Sequence, residues 1–308
     1  MLYPFVKIWV RLAMPFFAKT IRVNNPELLN QQGPVLLASN HPNSFLDAIL
    51  FGILMKHPVY FMTRGDVFKK AWVRKIFTSL KMIPIFRIRD GKDKLSLNDE
   101  TFTKSVEVLR NNGMLLIFVE GFCINQTELQ LPLKKGAPRI IQACWQEGIP
   151  VQVLPVWLQY SSFFSYGKTI ELRFGELFGE EMVADLNTAA GINKINEVCT
   201  DQLLHLSNDY PFVKHRVPEF LRWLLFIPAM LGAVLHAPVY LPFNALSAKI
   251  SKDNVHFDSI LLAALIVTYP IYLFIITGVL LCITHQWWPL WVLAVFPLLA
   301  KAYQLWKK

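Results

Sequence analysis

Short apolar runs rich in β-branched and long aliphatic residues recur along the first half of the chain, at 35–39, 59–63, 82–86, 114–119, 151–158 and 169–174. Helical stretches separate most of them. Residues 66–80 are amphipathic, with Val67, Trp72, Ile76 and Phe77 on the apolar side. Residues 99–112 run into Gly113, a residue suited to close a helix, and 137–146 end near Gly148. Strands alternating with helices predict an α/β domain around a mainly parallel sheet flanked by helices, with the working residues at the carboxyl ends of strands.

The pattern then changes. No Asp, Glu, Lys or Arg occurs between Ser259 and Ala300, a run too long for one membrane span of about 20 residues. His285-Gln286 followed by Trp287-Trp288-Pro289 reads as a turn at the membrane–water interface, where tryptophan concentrates. The expectation is two antiparallel transmembrane helices, 260–283 and 288–301. A further uncharged run, 223–248, carries Pro228, Pro238 and Pro242. Each proline lacks a helix donor, so a re-entrant or interfacial hairpin is expected there. Such a hairpin also lets Arg216, Arg222, Lys249, Lys252, Lys301, Lys307 and Lys308 lie on one side, the cytoplasmic one. Residues 1–24 mix Phe5, Trp9, Leu12, Phe16 and Phe17 with Lys7, Arg11, Lys19 and Arg22. Arg11 interrupts the apolar stretch and no small-residue cleavage site follows, so the segment reads as an interfacial helix, or equally as a first helix packed on the domain, and not as a signal peptide. The chain thus divides into an N-terminal helix (1–24), an α/β domain (25–215) and a C-terminal helical membrane region (216–308).

Composition sharpens this division. The 308 residues are 54% hydrophobic and only 17% charged, which excludes disorder and a coiled coil. The 31 Lys+Arg against 22 Asp+Glu leave a net charge of +9, which calls for a negatively charged partner. Residues 221–308 hold six of the basic and two of the acidic residues, so the front of the chain is charged like a globular domain and the back like a membrane segment. The basic residues flank apolar segments and form no aromatic-interleaved patch, which argues for a lipid bilayer and against nucleic acid. Cys123, Cys144, Cys199 and Cys282 show no metal-site spacing and read as reduced packing residues; no metal is expected.

Candidate chemistry sits after the strands. The run 35–39 leads directly into Asn40-His41-Pro42-Asn43-Ser44-Phe45-Leu46-Asp47. A histidine able to take a proton, with a carboxylate to orient its ring, is the minimum apparatus for activating a hydroxyl. Glu120-Gly121 follows the run 114–119, and glycine there allows close approach of a ligand or of backbone. Lys134-Lys135-Gly136 opens the next helix, where lysines and free backbone donors suit an anion. Arg87, with Arg89, follows the run 82–86.

In this order, N-H-x-x-S-F-L-D (40–47), a strand ending in Arg (85–87), F-x-E-G (118–121), L-K-K-G-A (133–137) and V-x-P-V (153–156) resemble the blocks of the phospholipid and glycerol acyltransferases. These include the lysophosphatidate and glycerol-3-phosphate acyltransferases of glycerolipid synthesis. The resemblance covers about residues 30–180 and implies a glycerolipid acyltransferase-like fold. It also implies O-acyl transfer from acyl-CoA or acyl-carrier protein to the hydroxyl of a lysophospholipid or glycerol-3-phosphate. His41 would then remove the hydroxyl proton and Asp47 would hold its ring. Arg87, with Lys134 or Lys135, would hold the acceptor phosphate, and Glu120 and Gly121 would shape the pocket. The acyl donor is a co-substrate, and no cofactor or metal is implied. The enzyme would be an integral membrane protein with its catalytic domain on the cytoplasmic face, as on a bacterial inner membrane or its equivalent. Two departures stand out. Five residues separate His41 from Asp47 where the family usually has four, and Phe122-Cys123-Ile124 replaces the Thr-Arg-Ser that many members carry after Glu-Gly. The missing arginine leaves two further readings: acylation of another lyso-lipid (a lysophospholipid or an amino-acid lipid), or a catalytically silent lipid-binding relative.

Overall fold

The computed structural model describes the chain except residues 1, 87–96, 184–187, 209–211, 213–216, 253 and 308. A seven-stranded sheet forms its centre, built from β1 (Ala18–Val23), β2 (Val35–Ser39), β3 (Val59–Arg64), β4 (Met82–Ile85), β5 (Met114–Phe118), β6 (Gln152–Tyr160) and β7 (Lys168–Phe174). Their order across the sheet is β1-β7-β6-β2-β5-β3-β4. All neighbouring pairs are parallel except β6 with β7.

Side chains alternate faces along a strand, and the central strand β2 is buried along its whole length. Val35 and Leu37 face one layer and Leu36 and Ala38 the other. The first layer holds α1 (Leu2–Phe17) and α2 (Phe45–Leu54), with Phe17, Leu46 and Phe51 in its core. The second holds α4 (Leu97–Arg110), α5 (Gly136–Gln146) and α6 (Ala189–Asn208), with Leu109, Ile141, Trp145 and Leu203. A short α3 (Ala71–Ser79) follows a 3-10 turn, Gly65–Phe68, so the expected helix over 66–80 is broken by the exposed Lys69-Lys70.

The first 24 residues are not one helix. α1 ends at Phe17 and the chain turns straight into β1, because Thr20, Ile21 and Val23 are β-branched and pair along β7. α1 itself is amphipathic: Tyr3, Val10, Met14 and Phe17 are buried while Phe5, Ile8 and Leu12 stay exposed.

The C-terminal region contains α7 (Glu219–Leu224), α8 (Phe226–Ser251), α9 (Phe257–Thr284) and α10 (Val292–Trp306), with a 3-10 turn at Trp288–Trp291. Three segments, Phe226–Ser251, Phe257–Thr284 and Trp288–Trp306, are long and apolar enough to cross a membrane. The hairpin expected at 223–248 is absent: α8 continues through Pro238 and Pro242. Neighbouring helices brace this stretch, as they do in apolar surroundings where freed backbone groups find other partners. Tyr272 donates its hydroxyl to the Leu235 carbonyl at 2.5 Å, and His236 bridges the Gly232 carbonyl at 2.7 Å and the Tyr269 hydroxyl at 3.0 Å.

Both ends of α8 stay at the α/β domain. Near its start, Arg222 Nε donates to the Trp306 carbonyl at 3.2 Å, and the adjacent Lys307 carbonyl accepts from Lys19 Nζ at 2.6 Å. Beyond its other end, residues 256–259 enter the domain beside α2. The helix therefore runs along the domain. The helices carry many exposed apolar side chains, Trp223 (79% exposed), Ile283 (71%) and Trp287 (70%) among them, an amount of exposed apolar surface that suits an apolar partner.

α8 and α10 touch at backbone distance. A Cβ on Gly232 would stand 2.2 Å from the Leu299 carbonyl oxygen, the close approach that small residues allow between membrane helices. Gly232→Val is expected to cost about 1–3 kcal/mol through overpacking and to lower the thermal unfolding midpoint in detergent. An unchanged midpoint would mean that the two helices do not meet there.

Candidate active site

The site is assembled where β2 ends. Asn40 clamps the strand end to β6: its Nδ2 donates to the Leu158 carbonyl at 2.9 Å and its Oδ1 accepts from the Leu158 N–H at 2.7 Å. His41 follows. Its backbone N–H donates to Glu120 Oε2 at 2.7 Å, and its ring stacks on Phe118 with centroids 3.7 Å apart and planes within 4°. Backbone and ring are both fixed before any substrate arrives.

His41 Nδ1 lies 2.8 Å from Asp47 Oδ2. A carboxylate only accepts, so Nδ1 carries the proton and Nε2 is the nitrogen able to take one. Asp47 sits in the first turn of α2 and is fully buried. Its Oδ2 also accepts from the Asn43 N–H at 2.8 Å, and its Oδ1 accepts from the Tyr160 hydroxyl at 2.5 Å. Burial and the neighbouring Asp47 charge hold the Tyr160 phenol well above its ordinary range, so it stays a donor.

The five-residue gap between His41 and Asp47 is bridged by Ser44, which takes φ 52° and ψ −135° just before α2. That backbone state is costly for a residue with a Cβ, of order 1–3 kcal/mol, and persists only where neighbours over-determine it.

The remaining expected residues divide. Glu120, expected to help shape the pocket, is turned to backbone donors. It is only 2% exposed, and its two oxygens are taken by the N–H groups of His41 and, at 2.9 Å, Gln130. It seats the His41 backbone. Gly121 adopts φ +73°, and a Cβ there would lie 2.6 Å from Lys134 Cγ, so the glycine makes room for the Lys134 stem. That stem places the exposed Lys134 ammonium 6.0 Å over the Phe122 ring, and Lys135, also exposed, caps α5. Arg87 and Arg89 lie outside the described residues.

Residues 20–159 match the family model described as Acyltransferase. Over this segment the α/β domain is similar to the acyltransferase family. Among solved structures, the chain is similar to the 1-acyl-sn-glycerophosphate (LPA) acyltransferase PlsC from Thermotoga maritima, at 17% identity and TM-score 0.49, covering 68% of this chain and 81% of that one. No curated protein matches the chain.

The matched segment contains His41, Asp47, Glu120, Gly121, Lys134 and Lys135 and stops one residue short of Tyr160. Several residues around the dyad are not apparent from the motifs. Cys123, expected as packing, instead accepts the Ser44 N–H at 2.9 Å; its sulfur, a His41 ring nitrogen and an Asp47 oxygen all lie within 4.8 Å of one another. A cation held by these three atoms would have to displace hydrogen bonds that Asp47 already accepts. Arg64, at the end of β3, and His256, before α9, bring further basic groups to the rim. His256 is held below its ordinary pKa by partial burial and then by the charges of Arg64 and His41. One signal could have drawn attention to the α9 residues: an acid and a serine, Asp258-Ser259, stand at the opening of an otherwise uncharged run.

Burial pushes Glu120 above its usual carboxylate range, although the two backbone donors and His41 oppose that shift. A raised folded-state pKa means that the stabilisation Glu120 gives is complete below its unfolded pKa and is lost as pH rises through the folded value. The stability of the unsubstituted protein minus that of Glu120→Gln should therefore fall as the pH is raised above about 4, the ordinary carboxylate value. Unfolding midpoints of both proteins across this range check it. A difference that grows with pH would show that the donors, and not burial, dominate.

Proposed function

We propose that the enzyme transfers a fatty acyl group from acyl-CoA or acyl-carrier protein to a hydroxyl of lysophosphatidate or glycerol-3-phosphate, in glycerophospholipid synthesis. The observation that carries this reading is the His41 Nδ1–Asp47 Oδ2 contact of 2.8 Å at the carboxyl end of β2. With Nδ1 committed to Asp47, Nε2 removes the acceptor hydroxyl proton as the oxygen attacks the thioester carbonyl. The tetrahedral intermediate expels the donor thiolate, and the proton on His41 passes to that sulfur. Asp47 steadies the imidazolium in between. A thioester is already activated, so the scheme uses no metal and no acyl-enzyme.

Arg87 with Lys134 or Lys135 is the expected cradle for the acceptor phosphate. The Lys134 stem packed on Gly121 and the exposed ammonium beyond it support an anion on this side of the site. A lipid substrate is supported by an apolar cavity of about 470 Å³ between α1 and α8–α10, lined by Phe16, Leu262, Ile266 and Pro297. Membrane attachment through α8–α10, with the catalytic domain on the cytoplasmic side, brings acceptor and soluble donor together.

A specific observation favours a second acceptor class. Phe122 and Ile124, flanking Cys123 where many relatives carry Thr-Arg-Ser, are 37% and 41% exposed. They set apolar surface beside the site where a phosphate-binding arginine would stand. This suits a lyso-lipid without a phosphate monoester, such as a lysophospholipid or an amino-acid lipid.

Purified protein in lipid vesicles, supplied with labelled acyl thioester and a panel of acceptors, decides between them. Acylation of lysophosphatidate or glycerol-3-phosphate is expected. If both stay unacylated while another lyso-lipid is consumed, the second class is correct. His41→Ala should lower kcat by about 10²–10⁴-fold, the usual contribution of a general base. Undiminished turnover in that variant would defeat the mechanism.

A further inference from the structure

The opening turn of α9 reaches across to the loop between His41 and Asp47 and holds three of its five residues. Asn43 Nδ2 donates to Asp258 Oδ2 at 2.6 Å, Ser44 Oγ lies 2.6 Å from His256 Nδ1, and the Leu46 N–H donates to Ser259 Oγ at 3.1 Å. Asp258 is 1% exposed and closed from the other side by the fully buried ammonium of Lys168, on β7. An acid at this position needs such a partner, because an unpaired buried charge is strongly destabilising.

The arrangement does more than dock a helix. Asn43 is held at both its ends. Its side chain is fixed by Asp258, and its backbone N–H donates at 2.8 Å to the same Asp47 oxygen that accepts the hydrogen bond from His41 Nδ1–H. A continuous chain of contacts thus runs from Lys168 through Asp258, Asn43 and Asp47 to His41. Ser44, beside Asn43, sits in its strained backbone state, so the loop would not keep this shape unaided.

We propose that Asp258, held by Lys168, is a positioning residue for acyl transfer: through Asn43 it fixes the carboxylate that orients His41. The C-terminal helical region is thereby part of the catalytic apparatus. This inference rests on His41 as the base of the proposed reaction.

The test compares two double variants of the full chain in lipid vesicles. Both remove the ion pair and leave no buried charge behind. Lys168→Met with Asp258→Asn keeps an oxygen that can accept from Asn43 Nδ2; Lys168→Met with Asp258→Leu does not. The leucine pair should lose about 100-fold in kcat, as misplacement of a catalytic group by about 1 Å does, with the KM for the thioester unchanged. The asparagine pair should recover most of that loss. A second readout needs no substrate: the imidazole Nδ1–H resonance of His41 should be lost in the leucine pair and kept in the asparagine pair. If the leucine pair does not fold, Asn43→Ala, which leaves the ion pair intact, should lose the same resonance and the same turnover. Retained kcat and resonance in the leucine pair, or equal loss of kcat in both pairs with the resonance intact, overturns the proposal. If the unsubstituted protein acylates no acceptor, the resonance decides alone. Its loss with leucine and survival with asparagine then sustains the positioning role and defeats only the assignment of the reaction.

Discussion

The buried Asp47 carboxylate is the constraint around which the domain is arranged. A charge with no solvent contact is tolerated only when its lone pairs are met by donors, and a half-satisfied buried network is worse than an apolar one. Three donors meet this carboxylate: the His41 ring, the Asn43 backbone and the Tyr160 hydroxyl. They come from the end of β2, the loop before α2 and the end of β6, so the requirement couples elements 113 residues apart in sequence. Parallel pairing of β2 with both β5 and β6 makes this possible. It brings the carboxyl ends of three strands to one edge, where Phe118 supplies the surface on which the imidazole lies.

Much of the sheet is legible in the residues alone, for a physical reason. Central parallel strands are covered on both faces, so β2, β5 and β6 are continuous apolar runs that stand out from their surroundings. β1 does not stand out. Ala18–Val23 is an edge strand with one lysine and one arginine in six residues, and it follows a helix without a break. The prolines of α8 mislead for the opposite reason. A proline-bearing helix is braced here by α9, whose Tyr272 hydroxyl donates to the Leu235 carbonyl, and local sequence does not reveal that neighbour.

The site shows the same division. His41 and Asp47 are six residues apart, and a strand-to-helix turn brings them together, so their pairing is readable from spacing. Glu120 is readable as important, but its direction is not, because both of its partners are backbone groups. Lys168 and Asp258 carry no local signal of their association across 90 residues. Cys123 is misread because a lone thiol in a loop looks like packing until the Ser44 N–H is found pointing at it.

The hold of α9 on the 43–46 loop bears on how such a protein can vary between relatives. An anchor joined to a domain by a plain linker could be exchanged for any other apolar helix without consequence. Here the residues at 256, 258 and 259 face partners at 43, 44, 46 and 168, on two elements of the domain. A substitution at any of these positions therefore calls for a matching change at its partner. A chimera joining this domain to a foreign anchor would keep the dyad in its sequence while losing one wall of the loop that shapes it.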